Sequence, residues 1–226
     1  MPAPLPHPAA PDAAARAAAA ARNARLTKPP GALGRLEAVM LQLAGSQGRA
    51  LPSCQRVAIL VFAADHGVAA RGVSAFPPAV TAQMCHNFAA GGAAISVLAR
   101  SLGAELTVVD AGVAGGLDPA LPMVHAPIAA GTADFVDAPA MTPDQADAAL
   151  ALGIAQAEAA VARGGELLVP GEMGIGNTTS AAALLAALAG LAAAAAVAAG
   201  TGAAGAVLAR KLDAVQAGLE IGRAHV

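Results

Sequence analysis

The sequence predicts an α/β fold: a doubly wound, mainly parallel sheet flanked by helices, with a small helical domain from the N-terminal part. Three observations carry this. Short apolar runs rich in β-branched residues, 57–62 and 106–109, end in polar turns, as strands buried on both faces do. Alanine-rich segments of high helix propensity separate them. A third run, ELLVPGEMGIGNTTSAAALLAAL, reads as buried strand, glycine loop and helix in one sweep.

Each element follows from local chemistry. The Pro/Ala-rich start reads as a loose arm leading into a helix over 12–25. Pro29, Pro30 and Gly31 make a rigid turn, and the next helix starts near Leu33, with Leu33, Leu36, Met40 and Leu43 on one apolar face. After the 57–62 strand come helices over 79–88 and 93–102. The 106–109 strand closes on Asp110-Ala111-Gly112, and 123–135 holds a short strand plus loop. Thr142 is the expected N-cap of a long helix, with Pro143 in its first turn and Gly164 and Gly165 ending it. Residues 180–209 carry no charge. Alanine contributes little to membrane insertion, and Gly190, Gly200, Gly202 and Gly205 interrupt the stretch. A buried helix followed by a glycine loop is therefore predicted, not a span. The expected division is a small-domain segment over 1–45, an incomplete α/β nucleotide-binding domain over 46–219, and a tail over 220–226.

Composition narrows the function. With 226 residues and 57% hydrophobic content the chain can bury a core. Thirteen basic and 15 acidic residues, net -2, leave no electrostatic footprint for nucleic acid or an anionic membrane. Without Trp or Tyr, and with four Phe, base-stacking platforms are not expected. Cys54 and Cys85 form no CxxC, and the N-terminus lacks a signal-peptide pattern, so the chain reads as cytoplasmic with reduced thiols.

In an open parallel sheet, ligands bind at the carboxyl ends of strands. Two polar segments stand there: Asp65-His66-Gly67, and the loop from Gly171 to Ser180. In the second, Gly171, Gly174 and Gly176 allow close backbone approach, and the N–H groups of the helix's first turn are expected to face outward as a phosphate cradle. Asn177, Thr178, Thr179 and Ser180 cap that helix or bind an anion. The loop is neither a Walker A nor a GxGxxG motif, because the Lys-Ser/Thr ending and the third glycine are absent. Glu172 stands at the strand's end, placed to orient a substrate or accept a proton. Lys211 follows the Gly200-Thr201-Gly202 loop and can reach a phosphate from its helix. His7, His86, His125 and His225 are scattered, so no metal or cofactor is expected.

Taken in order, LTKPPGALGRLE, ADHGV, VTAQMCHNFAAGGAAISVLAR, VVDAGV, PAMT and GEMGIGNTTSAAALL resemble the nicotinate-nucleotide–dimethylbenzimidazole phosphoribosyltransferases of cobalamin biosynthesis. The resemblance runs from about Leu26 to about Gly218. It implies transfer of the phosphoribosyl group of nicotinate mononucleotide to 5,6-dimethylbenzimidazole, giving α-ribazole 5′-phosphate and nicotinate, by a homodimer without metal. It implies that Gly171, Gly174, Gly176, Asn177, Thr178, Thr179, Gly202 and Lys211 hold the nucleotide. Glu172 matches an active-site glutamate, secondary to a main catalytic base. Asp65, His66, Gly67, Phe76 and Met84 would line the benzimidazole pocket. Phe76, Pro78, Asp134, Ala203 and Ala204 depart from residues common in the family. The family's main base lies in a further C-terminal part, so the chain is expected to be a C-terminally truncated member with low or no turnover. IGRAHV matches one reading frame of a common sequencing-library adapter, so 220–226 is expected to be non-native. The alternative is a non-catalytic nucleotide- or phosphate-binding α/β module; a third reading is an interaction protein pairing through an alanine-rich helical face.

Overall fold

The computed structural model describes residues 8–224. The expected arm therefore falls largely outside the described residues, as do the last two residues of the expected tail. The chain forms two compact units, which divide between Gln55 and Arg56.

The first unit holds α1 (Ala13–Asn23) and α2 (Arg35–Gln47). Asp12 caps α1 by accepting from Ala15 N–H at 2.9 Å. Small residues make the contact between the two helices: Ala15, Ala19, Ala44 and Gly45 are buried. This corrects the expected apolar face. Leu33 precedes α2 and is 53% exposed, and Leu36 is 67% exposed. Alanine and glycine faces let the backbones approach closely, so the seam lies on the small residues and turns these leucines outward.

The turn between the helices is closed by one carboxylate. Glu37 accepts from Lys28 Nζ at 2.8 Å, Asn23 Nδ2 at 2.9 Å and Leu33 N–H at 3.2 Å. These bonds, that to Lys28 foremost, lower its pKa to about 2. A carboxylate with a depressed folded-state pKa contributes stability above its ordinary value, 4.5, which is lost as pH falls through about 2. Glu37→Gln is thus expected to speed hydrogen exchange over 23–37 at pH 7. It is also expected to remove that segment's acid sensitivity between pH 4.5 and 2; an unchanged exchange profile contradicts the assignment.

The second unit is built on a four-stranded parallel sheet. Its strands are β1 (Val57–Ala64), β2 (Glu105–Gly112), β3 (Val124–His125) and β4 (Leu167–Met173), in the order β3-β2-β1-β4. Helix α3 (Val80–Ala90) and α4 (Ala94–Leu102) join β1 to β2, and α5 (Pro143–Ala162) leads to β4. Side chains alternate along β1. Ile59 and Val61 pack with Ala99 of α4 and Val108, while Ala58 and Leu60 pack with Ala160 of α5. Helices therefore cover both faces, as the buried central strand requires. Thr142 caps α5 in a full capping box with Gln145, and Pro143 follows at the first position.

Three readings are corrected. The strand before the glycine loop is not buried: among the described residues β4 has one neighbour, β1, and leaves Leu167 and Val169 more than a third exposed. Gly171, Glu172 and Met173 belong to this strand and not to the loop, because pairing with Val61, Phe62 and Ala63 carries through them. The uncharged 180–209 stretch is not one buried helix. It is divided into α6 (Asn177–Ala189), which stops at a left-handed Gly190, a short α7 (Ala193–Ala196), a loop, and the start of α8 (Gly205–Ala224). On α6 the small side, Thr179, Ala182 and Ala186, is buried while Leu184, Leu185 and Leu188 are exposed. No helix among the described residues is long and apolar enough to cross a membrane.

Candidate functional site

The chain winds from β1 outward to β2 and β3 on one side, then returns to add β4 on the other. The direction of winding reverses between β1 and β4. The crevice outside their carboxyl ends is where such sheets place ligands. Asp65, His66 and Gly67 follow β1 there, and Gly174, Ile175 and Gly176 follow β4. Both predicted segments thus reach one place.

The segment after β4 is held by close approach. A Cβ on Gly174 would sit 2.3 Å from the Ala64 carbonyl oxygen and 2.9 Å from the His66 ring, so only glycine fits. Gly176 turns the chain into α6 with φ 92°, a left-handed value that favours glycine. Thr81 of α3 accepts from Ile175 N–H at 3.1 Å. The first turn of α6 is closed on itself: Asn177 N–H donates to the Gly174 carbonyl at 3.0 Å, Thr179 N–H to Gly176 at 2.9 Å, and Thr178 N–H to Asn177 Oδ1 at 2.7 Å. These donors do not face outward as expected. Asn177 Oδ1 occupies the place an anion would take at Thr178.

The positive element is a side chain. Lys211 of α8 is 1% exposed, and its Nζ donates to Thr178 Oγ1 at 2.7 Å and to the Ala198 carbonyl at 2.8 Å. No carboxylate among the described residues forms an ion pair with it. An ammonium has three donors, and burial without a counter-charge is unfavourable by several kcal/mol, on the order of the desolvation penalty of one ion. Burial lowers its pKa accordingly. An anion placed here would remove the imbalance.

The remaining polar groups differ in their partners. Glu172 accepts a short hydrogen bond from Asn177 Nδ2 and is exposed. Ser180 Oγ lies 3.1 Å from His66 Nδ1. Burial lowers the pKa of His66, against the smaller opposing pull of Glu172 and Asp65. Asp65 Oδ2 accepts from Ala114 N–H at 2.8 Å, while its buried Oδ1 has no partner. Gly67 lies against Ala133 too closely for any Cβ, and its N–H donates to Thr132 Oγ1 at 3.2 Å. Buried Thr179 keeps an Oγ1 without a partner.

Other predicted residues stand apart. Phe76 is 50% exposed in the turn before α3, and Met84 accepts from Asn87 within that helix. A cavity of about 850 Å³ beside His66 and Ser180 is walled by Phe135, Met141, Leu184 and Leu219; neither Phe76 nor Met84 lines it. Gly202 has open space around it, whereas Gly200 lies against Thr178 and Lys211. Asp134 ion-pairs with Arg71, which also reaches Asp137 at 2.6 Å, so the acid at this position has a local partner. Sequence reading missed Thr81, which nothing in its helix marks. It also missed the pairing of Ser180 with His66, which joins residues 114 positions apart. Among the described residues no group of three His, Cys, Asp or Glu side chains is placed to hold a metal.

Comparison with known proteins shows the family. The chain is 54% identical over 208 residues to the nicotinate-nucleotide–dimethylbenzimidazole phosphoribosyltransferase of Chromobacterium violaceum, covering 92% of this chain and 60% of that protein. It is 52% identical over 211 residues to the protein of the same description from Pseudomonas aeruginosa strain LESB58, covering 93% of this chain and 60% of that one. The crystal structure of CobT from Thermus thermophilus superimposes with a TM-score of 0.88 at 48% identity, covering 92% of this chain and 62% of that one. The chain therefore spans about three fifths of the length of these relatives. The family described as DBI_PRT, Phosphoribosyltransferase, matches residues 9–225, and this chain belongs to it.

Proposed function

We propose that this chain supplies the nucleotide-binding part of an enzyme that transfers the phosphoribosyl group of nicotinate mononucleotide to 5,6-dimethylbenzimidazole. The products are α-ribazole 5′-phosphate and nicotinate, used in building the nucleotide loop of cobalamin. The observation that carries the reading is Lys211: a buried ammonium without a carboxylate partner, joined to the first turn of α6 beside a glycine loop at the sheet's switch point. The names of the relatives support the substrate pair.

In this reading Gly171, Gly174, Gly176, Asn177, Thr178, Thr179, Gly202 and Lys211 serve the nucleotide. Asp65, His66, Gly67, Phe76 and Met84 serve the benzimidazole side. A benzimidazole nitrogen attacks the anomeric carbon with inversion. The bond from that carbon to the pyridinium nitrogen breaks, and its electron pair stays on nicotinate, which leaves as a neutral ring. The acceptor's other nitrogen gives up its proton to a base. Glu172 is a secondary acceptor of that proton, the main base belonging to the longer protein, and the enzyme acts as a homodimer in the cytoplasm.

The test is to incubate the chain, and a version extended to the relatives' length, with both substrates and to assay α-ribazole phosphate by mass spectrometry. Product from the extended version is expected. Product from neither, with both folded, contradicts the reading; nucleotide binding without product then identifies a non-catalytic module. In the extended version, Glu172→Gln is expected to reduce product formation at least about tenfold, less than the ~10²–10⁴ of a primary base. An unchanged rate removes Glu172 from the chemistry.

A further inference from the structure

We propose that His66 is a positioning residue, which holds the Gly174–Ser180 segment in place beside Lys211 through Ser180 and through contact with Gly174. The proposal rests on the nucleotide-binding reading above and assigns a role that the reaction itself does not require.

Three side chains from three elements fasten this segment. Thr81 of α3 takes Ile175 N–H, Lys211 of α8 takes Thr178 Oγ1, and His66, after β1, takes Ser180 Oγ. His66 makes a second contact that the others lack, because its ring fills the space a Cβ on Gly174 would need. One imidazole thereby fixes both ends of the loop: Gly174, where β4 stops, and Ser180, where α6 completes its first turn. Removing it frees Gly174 to move toward the vacated space and leaves Ser180 without its bond to the β1 side.

A purely structural residue would act equally at every pH, and His66 should not. The ring and Ser180 both border the 850 Å³ cavity, so solvent protons can reach them. The charged groups acting on it are Glu172 from β4 and Asp65 from the end of β1. Helix α6 carries no charged residue, and α8 presents Gly218 and Leu219 to the cavity, with Glu220 exposed. Asp134 and Asp137, which flank the cavity-lining Phe135 in sequence, are held by Arg71. Protonation therefore creates an imidazolium that attracts both Glu172 and Asp65, and drawing Glu172 toward the ring pulls it from Asn177 at the start of α6. Because burial lowers the His66 pKa below 6.5, the neutral, loop-holding form prevails at pH 6.5 and above and is lost as pH falls through that lowered pKa.

The test measures nicotinate mononucleotide binding by calorimetry from pH 5 to 8 in the chain and in its His66→Ala, His66→Asn, Ser180→Ala and double-alanine variants. Hydrogen exchange over 174–180 is measured without ligand, and thermal melts confirm folding. At pH 7.5, His66→Ala and Ser180→Ala are each expected to weaken binding about tenfold and to speed exchange over 174–180. The double variant should be no worse than His66→Ala, because that single change already removes the bond to Ser180. His66→Asn keeps a hydrogen-bonding group at the Nδ1 position and should restore affinity to within about threefold. The ratio of wild-type to His66→Asn affinity should fall below pH 6.5; the ligand's own phosphate titrates equally in both, so the ratio isolates the imidazole. Unchanged affinity and exchange in His66→Ala, or a pH-independent ratio, overturns the proposal. If the folded chain binds no nucleotide but His66→Ala still loosens 174–180, the nucleotide reading fails and the positioning role stands.

Discussion

Lys211→Met is expected to weaken nicotinate mononucleotide binding by about 10–100-fold, the range of a lost charge-assisted hydrogen bond, while leaving thermal stability unchanged or raised. The two halves of this result have one cause. Lys211 is buried with a hydroxyl and a carbonyl as partners and no counter-charge, so in the ligand-free protein its ammonium is a liability. Methionine has similar volume and no charge. The partners it abandons, on Thr178 and Ala198, belong to exposed residues and can bond water instead. A lysine kept for stability would show the reverse pattern, with a lower melting temperature and intact binding. Calorimetry and a thermal melt on the same preparation distinguish the two.

Gly174→Ala is expected to reduce stability by about 1–3 kcal/mol, as overpacking does, and to abolish detectable nucleotide binding. The new methyl would meet the Ala64 carbonyl oxygen at 2.3 Å, and that oxygen belongs to the end of β1, where the ladder with β2 already shifts register between Ala63 and Ala64. Backbone at the centre of the sheet cannot retreat as a flexible side chain would. The loop must move instead, and with it Ile175, Gly176 and the start of α6. A melting temperature within error of wild type, or retained affinity, would show that the loop tolerates displacement and that its close approach to β1 is incidental.

The strands were legible because their chemistry is local. The 57–62 and 106–109 runs are apolar and β-branched, and they became the cores of β1 and β2. Thr142, Pro143 and the paired glycines bounded α5 for the same reason. What the sequence concealed depends on neighbours. The run of 167–173 looks buried but forms an edge strand, since burial there is set by how many strands flank it. Alanine hid the helix faces. In α2 and α6 the alanines and their small neighbours make the contacts, so leucine periodicity pointed to solvent instead of the core.

The candidate site was legible as a set of residues and not as a set of partnerships. GEMGIGNTTS and Lys211 were identified, and the fold joins them through Thr178. The expected cradle of free amides was wrong because Asn177 folds its own side chain back onto Thr178 N–H, a competition that short polar side chains offer at helix starts. Likewise, four adjacent polar residues read as interchangeable caps. In the structure Asn177 holds Glu172, Thr178 meets Lys211, Thr179 is buried, and Ser180 binds His66. Only long-range packing could assign them.

The central claim is that the Gly174–Ser180 segment and Lys211 form a phosphate site. The most direct test compares the binding of nicotinate mononucleotide with that of nicotinate riboside, which lacks only the phosphate, to the folded chain at pH 7.5. The riboside is expected to bind more weakly by about 100-fold, as loss of a charge-assisted contact to a buried ammonium requires. Equal affinity for the two would mean that the buried ammonium does not meet the phosphate, and the account built on it would fall.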